Sequence, residues 1–74
     1  MTIQKNIAAT LKTAMVERDL NLVEFAEEIG IARTSLQGYL KEESNPRVDT
    51  IELLSKKLNI SPATLISGPD TQMS

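Results

Sequence analysis

The chain of 74 residues contains no cysteine, no histidine and very few aromatic side chains. Without cysteine it can form neither a disulfide nor a thiolate metal site. Without histidine it lacks the usual general base of enzymes and the commonest metal ligand of proteins. The sequence therefore predicts a protein that is not an enzyme and that holds no metal and no cofactor. Because only 3% of the residues are aromatic while 41% are hydrophobic, we expect one small domain with an aliphatic core.

Long hydrophobic runs are absent as well. No apolar stretch approaches the roughly 20 residues of a membrane span, and the N-terminus shows no secretory signal. We therefore expect a cytoplasmic protein with no membrane partner. The formal net charge is −2 and the isoelectric point about 5.0, whereas strong DNA binders are usually basic. This acidity argues against DNA binding only weakly, because the local charge of one face decides it.

Apolar periodicity and cap residues predict five helices, and hence an all-α fold in the form of a compact five-helix bundle. The expected helices cover residues 2–19, 22–29, about 33–41, about 48–58, and a short segment that Ser61 and Pro62 open and Gly68-Pro69 ends. The predicted buried stripes of the first and fourth helices consist of Ile3, Ile7, Leu11 and Met15, and of Val48, Ile51, Leu54 and Leu58.

The segment around the second and third helices carries the most information. Asn21 is a good N-cap, and Glu24 stands at the third helical position, as in a capping box. Gly30 can adopt a left-handed conformation that turns the chain, and the small Ala26 lets the next helix approach closely. This pattern is typical of a helix-turn-helix, whose second helix can lie in the major groove of DNA. These residues alone predict either a DNA-binding regulator or a binding module for another partner.

The residues from Ile7 to Ile66 resemble, without a gap, the lambda repressor/Cro-like (XRE-type) family of phage and bacteria. The markers of this resemblance are Leu20-Asn21, Phe25-Ala26, Ile29-Gly30-Ile31, Leu36, Asn45-Pro46, Asp49-Thr50-Ile51, Leu54, Leu58 and residues 61–66. The resemblance implies a helix-turn-helix DNA-binding domain over residues 1–68, followed by a short disordered tail over residues 69–74. It also implies a sequence-specific transcriptional regulator, most simply a repressor, that binds double-stranded DNA as a homodimer on a pseudo-palindromic operator.

The resemblance assigns base contacts to the start of the third helix, at Arg33, Thr34 and Gln37, with Gly38 beside them. Arginine can donate two parallel hydrogen bonds to guanine, and glutamine can pair bidentately with adenine. The threonine methyl group can touch the methyl group of thymine. Gly38 has no side chain, so it permits close approach without reading a base. The alternative for all of these residues is an ordinary solvated helix face.

Contacts to the DNA backbone are expected at Ser35 and Lys41, and at Asn45 and Arg47 in the loop that follows. Polar side chains there would hold phosphates and fix the register of the protein on the duplex. For Lys41 and Arg47, a solvated charge without a DNA contact is the equally weighted alternative.

Three positions of the DNA-binding segment depart from the family pattern. Leu22 stands where relatives often have a glutamine that holds a phosphate, so one anchor is missing. Glu42 and Glu43 occupy the loop that usually carries glycine and basic residues, and their carboxylates repel phosphates, most strongly at low salt. These departures favour modest DNA affinity, or a module that has lost DNA binding and binds a protein instead.

A further departure concerns a buried ion pair that many relatives form between an arginine near the end of the first helix and a glutamate late in the third. The matching positions here are Met15 and Leu40, so we expect a hydrophobic contact in place of two charges. Such a replacement can be neutral or stabilising, because no charge has to be desolvated.

Apolar residues near the C-terminal end form a candidate dimer patch, which consists of Leu53, Ile60, Leu65 and Ile66. A second functional alternative is the antitoxin of a toxin–antitoxin pair, which uses the same fold, binds a toxin and represses its own operon. The local charge around Arg33, Lys41 and Arg47 distinguishes these hypotheses, since a positive face favours DNA and a neutral or negative face favours a protein partner.

Overall fold

The computed structural model of the protein describes residues 3–67, and the described residues contain helices but no strand. The five helices are α1 (Ile3–Arg18), α2 (Leu22–Ile29), α3 (Arg33–Leu40), α4 (Val48–Leu58) and α5 (Pro62–Ser67). The predicted all-α class and the order of the helices are confirmed, with bounds that differ from the prediction by at most one residue. The stop predicted at Gly68-Pro69 and the tail over residues 69–74 lie outside the described residues.

The helices enclose one aliphatic core. Helix α1 packs against α3 and α5, α2 packs against α3 and α4, and α4 also contacts α5. The fully buried large side chains come from all five helices: Ile7, Leu11, Phe25, Ile29, Leu36, Leu54 and Leu65. The single phenylalanine of the chain is fully buried in this cluster, and the other large members are aliphatic, as the composition predicts.

Side chains cap the first turns of two helices. The Asn21 side chain accepts a hydrogen bond from the Glu24 backbone N–H at 2.8 Å, and the Asn21 N–H donates to the Glu24 carboxylate at 3.0 Å. This reciprocal pair is the predicted capping box. The Ser61 hydroxyl oxygen accepts from the Thr64 N–H at 3.1 Å and caps α5. Helices α3 and α4 begin without a side-chain cap.

The first four helices end in the same backbone arrangement. Within two residues of each helix end, one residue has a positive φ, and these residues are Asp19, Gly30, Glu42 and Asn59. The next N–H in the chain then donates to a carbonyl five residues back, at distances of 2.9–3.1 Å in the four turns. This is the hydrogen bond of a Schellman motif, which closes a helix and reverses the chain direction over a short loop. Of the four left-handed residues only Gly30 was predicted, because the other three are not glycine.

Three predictions about burial are wrong. Ile3 and Val48 were placed on buried stripes but are 55% and 75% exposed. Each is the first residue of its helix, at the end of the predicted stripe. Leu65 was placed in the dimer patch but is fully buried in the core, because α5 turns this side chain toward the other helices. It therefore cannot contact a second subunit. None of the helices within residues 3–67 is long and apolar enough to cross a membrane.

Candidate nucleic-acid interface

The turn between α2 and α3 fixes how α3 is presented to solvent. Gly30, at φ 90°, donates its N–H to the Ala26 carbonyl at 2.8 Å, and the Ile31 N–H donates to the same carbonyl at 3.1 Å. Ala26 and Leu36 are 1% and 0% exposed, so α2 and α3 each bury an apolar side chain where they pack together. Because Leu36 is buried in the core, the other side of α3 faces solvent.

That outward side carries the three predicted base-reading side chains. Arg33, Thr34 and Gln37 are all exposed, and Lys41 is exposed one turn beyond Gln37. Residues at positions i, i+1, i+4 and i+8 share one face of a helix. The structure thus brings together on one solvent-facing surface the cation, hydroxyl and amide that the sequence analysis singled out. We call residues Arg33, Thr34, Gln37 and Lys41 the α3 face.

Gly38 lies at the edge of the α3 face and contacts the loop over residues 41–47. A Cβ atom at this position would lie 2.7 Å from the Ser44 hydroxyl oxygen, so the space of the missing side chain is already occupied. The Glu43 N–H also donates to the Gly38 carbonyl, at 2.9 Å. Sequence reasoning missed Ser44, because no local signal predicts a contact between a helical glycine and a loop six residues later.

The candidate phosphate contacts fall into two groups. Lys41, Asn45 and Arg47 are exposed on or beside the loop that follows α3, and the buried Pro46 anchors this loop to the protein. Ser35 is half-buried, on the side of α3 that lies away from Arg33 and Gln37. The first group therefore extends the α3 face along the chain, whereas Ser35 stands apart from it.

The charge balance of this region is only weakly positive. Three exposed cations, Arg33, Lys41 and Arg47, stand near the two exposed carboxylates of Glu42 and Glu43. Leu22 at the start of α2 is partly buried and packs against the core. It therefore offers no polar anchor for a phosphate. Within the described part of the chain, no group of three or more acidic residues is placed to hold a metal ion.

The remaining members of the dimer patch keep part of their surface in solvent. Leu53, Ile60 and Ile66 are each partly exposed, and Leu53 and Ile60 also pack against the core from outside. Ile60 lines a groove of about 160 Å³ between the end of α4, the loop before α5 and one side of α1. These three residues, without the buried Leu65, form what we call the Ile60–Ile66 patch.

The sequence model of the helix-turn-helix family matches residues 11–65, which include all of α2, α3 and α4. The chain belongs to this family, in its Cro/C1 (XRE) type. The resemblance on which the sequence analysis relied is thereby confirmed, and so is the helix-turn-helix formed by α2 and α3.

Two curated proteins share about a third of their aligned residues with this chain. The transcriptional repressor RstR of a cryptic CTXphi phage of Vibrio cholerae is 32% identical over 66 residues, which cover 89% of this chain and 60% of the repressor. The antitoxin PezA of Streptococcus pneumoniae is 34% identical over 71 residues, which cover 96% of this chain and 42% of the antitoxin. The chain thus spans roughly half the length of the curated relatives it matches.

A solved structure shows the same fold at lower sequence identity. A hypothetical transcription factor from Neisseria superposes with a TM-score of 0.84 over 96% of this chain and 82% of the other, at 18% identity. This similarity establishes that the five-helix arrangement is shared with a solved protein.

Proposed function

We propose that the protein is a sequence-specific DNA-binding transcriptional regulator that reads the major groove with α3 and represses by occupying a promoter. The observation that carries this proposal is the α3 face, where Arg33, Thr34 and Gln37 project from a helix that the buried Leu36 and the Gly30 turn hold in place. Membership of the Cro/C1-type family and the likeness to a phage repressor support the same function.

Each residue of the α3 face has its own contribution. Arg33 would donate two hydrogen bonds to guanine, Gln37 would pair with adenine, and the Thr34 methyl would contact thymine. Lys41, Asn45 and Arg47 would hold phosphates beyond the C-terminal end of α3. Glu42 and Glu43 would oppose this attraction most strongly at low salt, so we expect modest affinity and a weaker dependence on salt than unopposed cations would give.

We infer that two chains bind one operator through the Ile60–Ile66 patch. A two-fold axis at this patch would present two α3 faces to half-sites about one helical turn apart. Binding both half-sites at once raises the apparent affinity through the effective concentration of the second chain, without any new contact. This gain in apparent affinity compensates for the weak attraction between each single α3 face and the DNA phosphates.

The first test is selection from a random pool of duplex DNA at about 50 mM salt. The wild-type protein should enrich a site with two-fold symmetry, and Arg33→Ala should fail to select it. Lys57→Ala is the matched control, because it removes one exposed cation from α4 and leaves the α3 face intact. Absence of an enriched site, with equal binding by wild type and Arg33→Ala, would refute the proposal and direct the search to a protein partner.

The dimer has its own test, which compares a full operator with a half-site. Ile66→Lys should lose most of the affinity gain on the full site and keep the wild-type affinity for the half-site. Ile3→Lys, at a 55% exposed position at the start of α1, is the control for an added surface lysine. Equal loss on both sites by Ile66→Lys would show that the patch does not join the two chains.

A second candidate function is that of an antitoxin, which the 34% identity to PezA favours. In that case the protein would also bind a toxin whose gene lies beside its own, and would repress their common promoter. Co-expression with the product of the neighbouring gene tests this. Formation of a stable complex that relieves growth inhibition supports the antitoxin, and inhibition that persists without a complex excludes it.

A further inference from the structure

A second groove, which shares no lining residue with the α3 face or the Ile60–Ile66 patch, lies between α1 and the end of α3. It has a volume of about 430 Å³ and is lined by Lys12, Met15, Val16, Asp19, Leu20 and Leu40. We call it the α1 groove.

The centre of the α1 groove is apolar and its two ends carry opposite charges. Val16 is 80% exposed, the most exposed large hydrophobic side chain of the described residues. Met15, Leu20 and Leu40 form the floor, where they are partly buried against the core. An exposed apolar side chain above an apolar floor is typical of a surface that another molecule covers.

The two charged residues of the groove flank its apolar residues Met15 and Val16 along the chain. Lys12 lies on α1 about one turn before Met15, and Asp19 follows the last residue of α1 with a left-handed backbone; both residues line the groove. In the sequence, the midpoint between Lys12 and Asp19 falls between Met15 and Val16. Both are exposed, and neither forms an ion pair with another described residue. The surface therefore carries one positive end, one negative end and an apolar middle.

We propose that the α1 groove binds the same groove of a second copy of this chain, with the two α1 helices antiparallel about a two-fold axis. In this arrangement Lys12 lies opposite the partner's Asp19, and Asp19 lies opposite the partner's Lys12. Met15 and Val16 meet the same two residues of the partner at the axis. A two-fold contact of this kind requires a self-complementary surface. A parallel arrangement would oppose lysine to lysine and aspartate to aspartate, so the charges select the antiparallel one.

This contact is additional to the dimer proposed on the operator. The side of α1 that lines the groove with Ile60 consists of different residues: Thr10, Thr13, Ala14, Glu17 and Arg18. Because the two surfaces lie on opposite sides of α1, one chain can use both at once. Two operator-bound dimers would then be joined through their α1 helices, and neighbouring operators would be bound cooperatively.

A charge-exchange experiment tests the pairing directly. Lys12→Glu alone and Asp19→Lys alone each create two like-charge oppositions per contact, so each should self-associate more weakly than wild type by about tenfold or more at low salt. Mixed in equal amounts, the two variants present opposite charges to each other and should recover the association. Sedimentation equilibrium without DNA measures both effects. A mixture with an average mass no greater than that of its separate components would overturn the proposal.

A cross-linking experiment tests the position of the axis. Because the chain has no natural cysteine, only the introduced cysteine can form a disulfide. Val16→Cys should form an intermolecular disulfide under oxidised glutathione, because the two copies of residue 16 lie beside the axis. Val48→Cys is the matched control, since position 48 is 75% exposed and lies outside the groove. The proposal fails if the two variants cross-link equally. It also fails if Val16→Cys gives no disulfide at concentrations where wild type associates.

Discussion

A Cβ atom on Gly38 would lie 2.7 Å from the Ser44 Oγ, so α3 and the loop after it meet at a point where only glycine fits without movement. A glycine inside a helix costs about 1 kcal/mol relative to alanine. The gain expected from an alanine here is therefore opposed by displacement of the Ser44 hydroxyl.

We expect Gly38→Ala to raise the free energy of unfolding by somewhat less than about 1 kcal/mol in the wild-type background, because the exposed Ser44 hydroxyl must rotate away from the new methyl group. In a Ser44→Ala background, which removes the close contact, the same substitution should give the full gain of about 1 kcal/mol. Urea unfolding of the four proteins of this double-mutant cycle measures the difference. Equal gains in both backgrounds would show that Ser44 does not oppose a side chain at position 38.

Glu42 has a left-handed backbone at φ 63°, which costs a non-glycine residue roughly 1 kcal/mol or more. Glu42→Gly should therefore stabilise the protein by about 1 kcal/mol in urea unfolding. Glu43→Gly removes the same charge one residue later, at a position without a positive φ, and should give no such gain. Both variants should bind DNA more tightly at low salt, because each removes one carboxylate beside the phosphates.

Met15 and Leu40 line the same groove on neighbouring helices, where many relatives are expected to carry an arginine and a glutamate. Leu40→Glu alone should destabilise the protein by about 2 kcal/mol, because it places an unpaired charge against apolar groups. Met15→Arg combined with Leu40→Glu should recover part of this loss. Thermal unfolding of both single variants and of the double variant measures whether the second substitution restores stability. Additive losses would mean that the two positions do not interact.

The Asn21 capping box satisfies two backbone N–H groups at the start of α2. The Glu24 N–H donates to the Asn21 side chain at 2.8 Å, and the Asn21 N–H donates to the Glu24 carboxylate at 3.0 Å. Asn21→Ala removes one acceptor and should lower the free energy of unfolding by about 1 kcal/mol. Asn21→Asp keeps the acceptor and is the control, with stability close to that of wild type. A loss of the same size in both variants would assign the effect to something other than the cap.

The sequence by itself determined the number and order of the helices, the helix-turn-helix and the side of α3 that faces solvent. These features depend on signals within a few residues: the apolar period of a helix, a cap such as Asn21, and the glycine at position 30. The candidate base-reading residues follow from the same local pattern, since burial of Leu36 leaves Arg33 and Gln37 outside.

Only the tertiary structure decided which apolar residues stay at the surface. Leu65 and Ile66 are neighbours in sequence, yet the first is fully buried and the second is not, because the packing of α5 sets the rotation of that short helix. The same holds for the approach of Ser44 to Gly38. Contacts between segments distant in sequence depend on how whole helices pack, and no local pattern encodes that.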